Sequence, residues 1–282
     1  MRRDTLTSRV IVALFGIPLL LVLTYLGGWW TALLVAIIGI GSQLEYYRLL
    51  RDGGYKPLTV LGVLFGALLL LVSIGAIDIN AIWIIIVGAV FFLCAGLLFN
   101  RSHIDAMVTT GGLIYPLLLS ASFIYIRQWS PPPDMEAIDG RWLAFAVWGA
   151  IWSQDTLAYF GGRLFGKHLL APAISPKKTV EGFVAGLIGA IACATVFIML
   201  EKVSLINGIA VGVAAGFFGP IGDLVESSLK RTVGVKDSGN LLPGHGGLMD
   251  RFDSFFFTAP LVAIVLFIQD FLTYLASLQQ GM

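Results

Sequence analysis

Charged side chains are scarce in this sequence. Asp, Glu, Lys and Arg make up 12% of its 282 residues, against roughly 25% in soluble domains. That shortage excludes an ordinary soluble globule, because hydrophobic types fill 57% of the chain and mean hydropathy is +0.89. Cysteine is nearly absent. Cys94 and Cys193 lie far apart inside apolar runs, which excludes a disulfide framework or a cysteine metal site. Neither charge sign dominates: the formal net charge of +1 singles out no partner, and no nucleic-acid partner is expected. Internal repeats and low-complexity tracts are lacking as well. What remains is an integral membrane protein, built from apolar runs that approach or exceed the roughly 18 residues of a spanning helix.

Nine such runs are present, at about 10–26, 29–44, 58–76, 81–99, 107–126, 142–160, 180–200, 205–225 and 255–276. The first follows Arg2, Arg3 and Arg9, as a signal peptide would. It lacks a small-residue cleavage site and a second run follows at once, so it is read as a retained span. Loop lysines and arginines set the orientation. With the N-terminus in the cytoplasm, 15 of the 18 cations fall on that side, leaving Arg127, Arg141 and Lys202 outside. The expected fold is an all-α polytopic membrane protein of nine helices, N-terminus cytoplasmic and C-terminus external. Residues 1–141 read as plain transmembrane helices. Residues 142–282 read as the working region, because two long polar cytoplasmic segments fall at about 161–179 and 226–254.

Three polar constellations stand against this apolar background. The first is "SQDTLAYFGGRLFGKHLLAPAISPKKTVEG", 153–182. Asp155 ends the sixth run, and a carboxylate at membrane depth is costly enough to imply a protein- or water-facing role. Ser175 or Thr179 is placed to cap the next helix. Lys177 and Lys178 would oppose that helix's dipole unless an anion sits there, which suggests a phosphate site. A lipid-headgroup anchor is the plainer alternative. The second is "GDLVESSLKRTVGVKD", 222–237. At 100° per residue, Asp223, Glu226, Ser227, Lys230 and Arg231 share one face, with Leu224, Val225 and Leu229 opposite. An i,i+4 ion pair accounts for Glu226 and Lys230, but not for the deeper Asp223.

The third, "LPGHGGLMDRFDS", precedes the last apolar run. Gly244, Gly246 and Gly247 allow the backbone to approach a ligand. Asp250 and Asp253 lie one turn apart at a helix start, where aspartates are common in any case. His245 lacks a second histidine at zinc spacing. Taken together, four carboxylates (Asp223, Glu226, Asp250, Asp253) and the cations Lys230, Arg231, Lys236 and Arg251 gather at one membrane face. Hard oxygen donors point to magnesium, and cations beside magnesium carboxylates suit phosphoryl or nucleotidyl transfer.

The run Ser227–Asp253, "SSLKRTVGVKDSGNLLPGHGGLMDRFD", closely resembles the signature of phosphatidate cytidylyltransferases, also called CDP-diacylglycerol synthases. Upstream, "DTLAYFGGRLFGK" and "SPKKTVEG" resemble the same family in the same order. One departure is "GFVAG" after Glu181, where paired glycines are expected; it bears on helix packing. The resemblance is specific over about 150–255, and the N-terminal half matches only as hydrophobic spans.

The resemblance implies that CTP and phosphatidate give CDP-diacylglycerol and pyrophosphate, with Mg2+ and room for a second cation, in the bacterial cytoplasmic (inner) membrane with the active site facing the cytoplasm. A lipid substrate and a soluble nucleotide would explain a polar, glycine-rich segment set against a membrane helix. In this reading Asp223, Asp250 and Glu226 form the metal set, with Asp253 in support. Lys230, Arg231, Lys236 and Arg251 take phosphates, and Ser175, Lys177, Lys178 and Thr179 hold another phosphate group. Asp237, His245, Gly246 and Gly247 line the substrate, while Asp155 orients a lysine or touches the metal. Membrane lipids surround the protein, and a homodimer is left open. The competing readings are a transporter, an enzyme acting on a different lipid phosphate or alcohol, and a scaffold with an anionic-lipid patch.

Overall fold

Apolar runs become helices wherever the backbone must satisfy its own hydrogen bonds out of water, and this chain follows that rule throughout. The computed structural model describes residues 4–77, 81–131, 139–235, 238–239 and 246–280. Its helices are α1 (Asp4–Leu26), α2 (Gly28–Asp52), α3 (Thr59–Ser73), α4 (Ala81–Leu98), α5 (His103–Gly112), α6 (Leu119–Gln128), α7 (Gly140–Phe165), α8 (Val180–Met199), α9 (Leu205–Val213), α10 (Gly219–Thr232) and α11 (Met249–Gln280). Two π turns, Leu113–Leu118 and Ala214–Phe218, join α5 to α6 and α9 to α10. Proline accounts for both. Pro116 lies in the first and Pro220 just after the second, and each removes a donor from the helical ladder.

All nine apolar runs fall on helices. By length and composition, five helical stretches among the described residues are able to cross a membrane: Gly28–Asp52, His103–Gln128, Val180–Met199, Leu205–Thr232 and Met249–Gln279. Leu14–Leu26, Thr59–Ser73 and Ile84–Leu98 are shorter apolar helices. The protein is thus a helical membrane protein. It is not purely α: β1 (Leu169–Ala171) and β2 (Ser175–Thr179) pair antiparallel, Leu169 opposite Thr179 and Ala171 opposite Ser175. Pro172 and Pro176 forbid a helix in this segment, and Pro176 is tolerated because a two-stranded hairpin consists only of edges.

The chain forms two compact units, Met1–Ile124 with Val225–Asp253, and Tyr125–Leu224 with Ser254–Met282. In the first, the fully buried Tyr47 of α2 donates to the Thr109 carbonyl at 2.7 Å and accepts from Gln43 Nε2 at 3.1 Å. Gln43 also donates to the Gly62 carbonyl at 3.1 Å. A Cβ at Gly62 or Gly112 would lie 2.2 or 2.3 Å from the Tyr47 side chain; bare glycine is what lets α3 and α5 close on that ring. Ser102 and Asp105 form a capping box at the start of α5. Asp105 also accepts from the Lys56 amide at 2.6 Å, which pins the turn after α2.

In the second unit α7 and α8 run antiparallel with small residues in the seam. A Cβ on Gly186 would fall 2.9 Å from Gln154 Nε2, and one on Gly189 2.8 Å from the Ser153 carbonyl. Membrane helices associate through such close contacts, since lipid gives them no hydrophobic drive to pair. Trp148 stacks on Phe255 with centroids 4.6 Å apart and planes 13° apart, an arrangement worth about 0.5–1.5 kcal/mol beyond burial. Asp270 accepts from Trp129 Nε1 at 3.0 Å and from the Tyr125 hydroxyl, and Gln269 donates to Asn207 at 2.7 Å. These bonds fix the later turns of α11.

Candidate active site

The second unit carries a cleft of about 480 Å³ lined by Asp155, Tyr159, Arg163, Lys177, Lys178, Thr179, Asp223 and Ser254, among others. Thr179 does the capping for which Ser175 was the other candidate: its Oγ1 accepts the Gly182 amide at 3.1 Å and opens α8. Ser175 instead pairs with Ala171 at the start of β2. Strand β2 therefore ends at the mouth of a helix, and its two lysines both reach the cleft. Lys178 Nζ lies 2.6 Å from Asp223 Oδ2 and donates to the Pro220 carbonyl at 3.4 Å. Pro220 lacks the N–H that would tighten the helix there. Among the described residues Lys177 makes no ion pair, and Arg163 makes one hydrogen bond, to the Tyr159 hydroxyl at 3.1 Å. The cleft thus presents cationic groups with donor capacity to spare, which is what an incoming phosphate requires. Arg163 and Tyr159 were not among the sequence candidates. Their signal was the helical spacing Asp155–Tyr159–Arg163 on one face of α7.

The first unit holds a buried acid–base cluster. Glu226 is fully buried, and Lys230 is nearly so. Lys230 Nζ bonds Glu226 Oε1 at 3.1 Å and Asp250 Oδ1 at 2.5 Å. The i,i+4 pair expected from sequence is real, but the lysine also bridges to α11. Asp250 Oδ2 accepts the Ser238 amide at 3.0 Å, the Ser238 hydroxyl at 3.0 Å and the Gly247 amide at 2.9 Å. On α10 Glu226 and Lys230 of the polar face are buried, while Val225 on the apolar face is exposed. That inverts a soluble amphipathic helix and is what lipid surroundings favour.

Gly246 has φ +82°, a left-handed conformation that glycine adopts without cost. At Gly247 a Cβ would stand 2.0 Å from Ser238 Oγ and 2.6 Å from Glu45 Oε2. That position tolerates glycine alone because two carboxylates and a serine press on it. Glu45, on α2, was also absent from the sequence candidates. It is 1% exposed, accepts the Met249 amide at 2.8 Å, and lies 3.3 Å from Ser238 Oγ. Unlike Asp155, Glu45 directly follows an apolar run, 29–44, where an acid reads as the edge of a span.

Arg231 is exposed and donates to the Val235 carbonyl at 3.1 Å. Arg251 is exposed and Asp253 half-buried in the first turns of α11. Lys236, Asp237 and His245 lie outside the described residues. Of the expected metal set, Glu226 and Asp250 meet at Lys230 in one unit, and Asp223 meets Lys178 in the other. No group of three His, Cys, Asp or Glu side chains among the described residues is close enough to hold an ion. Two carboxylates, with Glu226 Oε2 buried and lacking a hydrogen-bond partner among the described residues, still fit magnesium, which takes one or two carboxylates and completes its shell with phosphates and water.

A match to the cytidylyltransferase family model extends over residues 7–269. The chain belongs to that family. It is a nucleotidyltransferase. A phosphatidate cytidylyltransferase of Staphylococcus haemolyticus is 34% identical over 273 residues, covering 94% of this chain and 99% of that protein. One from a Synechocystis strain is 31% identical over 282 aligned positions, covering 91% and 94%. The Bacillus subtilis enzyme of that name is 50% identical over 118 residues, 41% of this chain and 44% of its own. The family match takes in the N-terminal helices as well as the polar constellations, including the helix that carries Glu45.

Proposed function

We propose that this protein transfers the cytidylyl group of CTP to phosphatidate, giving CDP-diacylglycerol and pyrophosphate. The observation that carries the reading is the near full-length similarity to a phosphatidate cytidylyltransferase, 34% identity with 99% of that protein covered. The cleft chemistry supports it independently, because Arg163, Lys177 and Lys178 line one cleft and suit phosphate groups.

A phosphatidate oxygen attacks the α-phosphorus of CTP in line, the bond to the bridging oxygen breaks, and pyrophosphate leaves with that electron pair. The lipid phosphate is already anionic, so no covalent enzyme intermediate is needed. The barrier is crowding of negative charge, which positioned cations relieve. Lys177 and Arg163 bind phosphate oxygens at the cleft. Lys178 is held to Asp223 until a phosphate competes for it. Lys230 holds Asp250 and Glu226 in fixed orientation, and the Gly246–Gly247 backbone keeps the loop against them. Arg231, Lys236 and Arg251 add positive charge for the triphosphate, and Asp155 orients a cleft lysine. Magnesium, held by Asp250, Glu226 or Asp223, would supply charge neutralisation at the phosphates when bound.

In the same reading the protein sits in the bacterial cytoplasmic membrane with its N-terminus, hairpin and glycine loop on the cytoplasmic side, as the cation distribution favours. The test is pyrophosphate release by purified protein in detergent with phosphatidate, magnesium and each of the four nucleoside triphosphates. Release with CTP that requires both lipid and metal is the expected result. No release with any nucleotide from folded protein overturns the reading.

A further inference from the structure

The chemistry proposed above uses Asp250 and Lys230, yet leaves a third buried carboxylate of the same cluster without a role. Glu45 comes from α2, 204 residues away in sequence from the amide it captures. Burying an acidic side chain to 1% exposure is costly unless its charge is answered. No cation pairs with Glu45 among the described residues. Its Oε2 meets amide and hydroxyl groups of the segment that holds Asp250, while its Oε1 is buried without a hydrogen-bond partner among the described residues.

Three contacts define what it does. Glu45 Oε2 accepts the Met249 amide at 2.8 Å. Met249 is the first residue of α11, so this N–H is one that the helix itself leaves unsatisfied; Glu45 caps α11 from a distant helix. Ser238 Oγ stands between two acids, 3.3 Å from Glu45 Oε2 and 3.0 Å from Asp250 Oδ2. Its single proton serves one acid or the other, so the two carboxylates are coupled through it. Glu45 also sets the clearance on both sides of the loop: a Cβ at Gly239 would be 2.7 Å from its Oε1, and one at Gly247 2.6 Å from its Oε2. Asp250 follows Met249 directly and takes its remaining bonds from Ser238 and Gly247. Every group that orients Asp250 Oδ2 is therefore in contact with Glu45 or next to a residue that is.

We infer that Glu45 is a positioning residue for this reaction: it fixes the N-terminus of α11 and the Ser238 and Gly247 backbone, and through them the carboxylate of Asp250. The inference rests on the cytidylyltransferase reading. A displacement of about 1 Å at a reacting group is enough to cost on the order of 100-fold in rate.

The experiment compares wild type with Glu45→Ala, Glu45→Gln and Ser238→Ala in detergent. Steady-state kinetics with CTP and phosphatidate is run beside hydrogen–deuterium exchange of the peptide covering 246–253. Glu45→Ala is expected to lower kcat by about 10- to 100-fold while KM for CTP stays within about twofold, with faster exchange confined to that peptide. Glu45→Gln keeps an acceptor oxygen for the Met249 amide and should retain most of kcat. Ser238→Ala should fall between them. Wild-type kcat in Glu45→Ala overturns the inference. So does equal damage in Glu45→Gln with exchange raised along the whole chain, which would mark a merely structural acid. If wild type itself releases no pyrophosphate from CTP, the functional reading fails and the exchange data alone decide. A rise confined to 246–253 then upholds the positioning contact, and unchanged exchange removes it.

Discussion

Lys178 Nζ lies 2.6 Å from Asp223 Oδ2, tying the end of the β hairpin to the N-terminal half of α10. The two side chains are 26% and 36% exposed, so the pair contributes only about 0–1 kcal/mol to stability. Its worth must lie elsewhere.

Asp223→Asn should therefore separate function from folding. Turnover is expected to fall by at least about 100-fold, the scale of a lost electrostatic contact in a reacting site. Thermal unfolding in detergent should barely move. Near-normal turnover in the folded variant would remove Asp223 from the machinery.

Lys230 behaves in the opposite way. It is the cation to which both Glu226 and Asp250 are bonded, so Lys230→Met leaves two acids in a buried site. Breaking a buried pair costs about 3–5 kcal/mol, and the variant should unfold at markedly lower temperature. Adding Glu226→Gln should recover part of that loss, giving a non-additive double-mutant cycle. Additive effects would contradict the geometry of the cluster.

Gly247→Ala and Gly246→Ala test the loop in two different ways. At Gly247 the methyl group meets Ser238 and Glu45 head on, a clash costing about 1–3 kcal/mol that also pushes Asp250 out of place. At Gly246 the space is less tight, the nearest neighbour being an Asp250 oxygen at 3.2 Å, and the φ of +82° is the main obstacle, worth about 1–2 kcal/mol. Turnover should suffer more in Gly247→Ala than stability alone explains. Equal activity in the two variants would refute the steric account.

Orientation is checked by single cysteines introduced at residues 167 and 202 after Cys94 and Cys193 are replaced. A membrane-impermeant thiol reagent added to intact cells should label position 202 and spare 167. The reverse pattern would overturn the cytoplasmic placement of the hairpin and cleft.

Much of this was legible in the sequence. Long apolar runs reveal themselves because lipid demands continuous helix, so each of the nine runs fell on one. The acid–base residues of α10 and α11 were legible because charge is so rare here that each instance calls for a reason. The hairpin is not legible, since "SPKKT" has the pattern of a helix entrance and a two-stranded ribbon of eight residues carries no periodicity long enough to detect. Glu45 was missed for another reason. It sits in "GSQLEYYRLL", where one acid at a run's end reads as the edge of a membrane span. Only the folded chain shows the amide it meets.

That meeting has a consequence for how the protein is made. α2 leaves the ribosome long before α11, and the whole stretch from Tyr125 to Leu224, which belongs to the other compact unit, is synthesised in between. Glu45 must wait at the membrane with its acid unanswered while some two hundred residues are translated and inserted past it. The first unit cannot close until Val225–Asp253 has been made, although its chain begins first. Truncation anywhere before residue 249 would leave that acid without the Met249 amide that answers it.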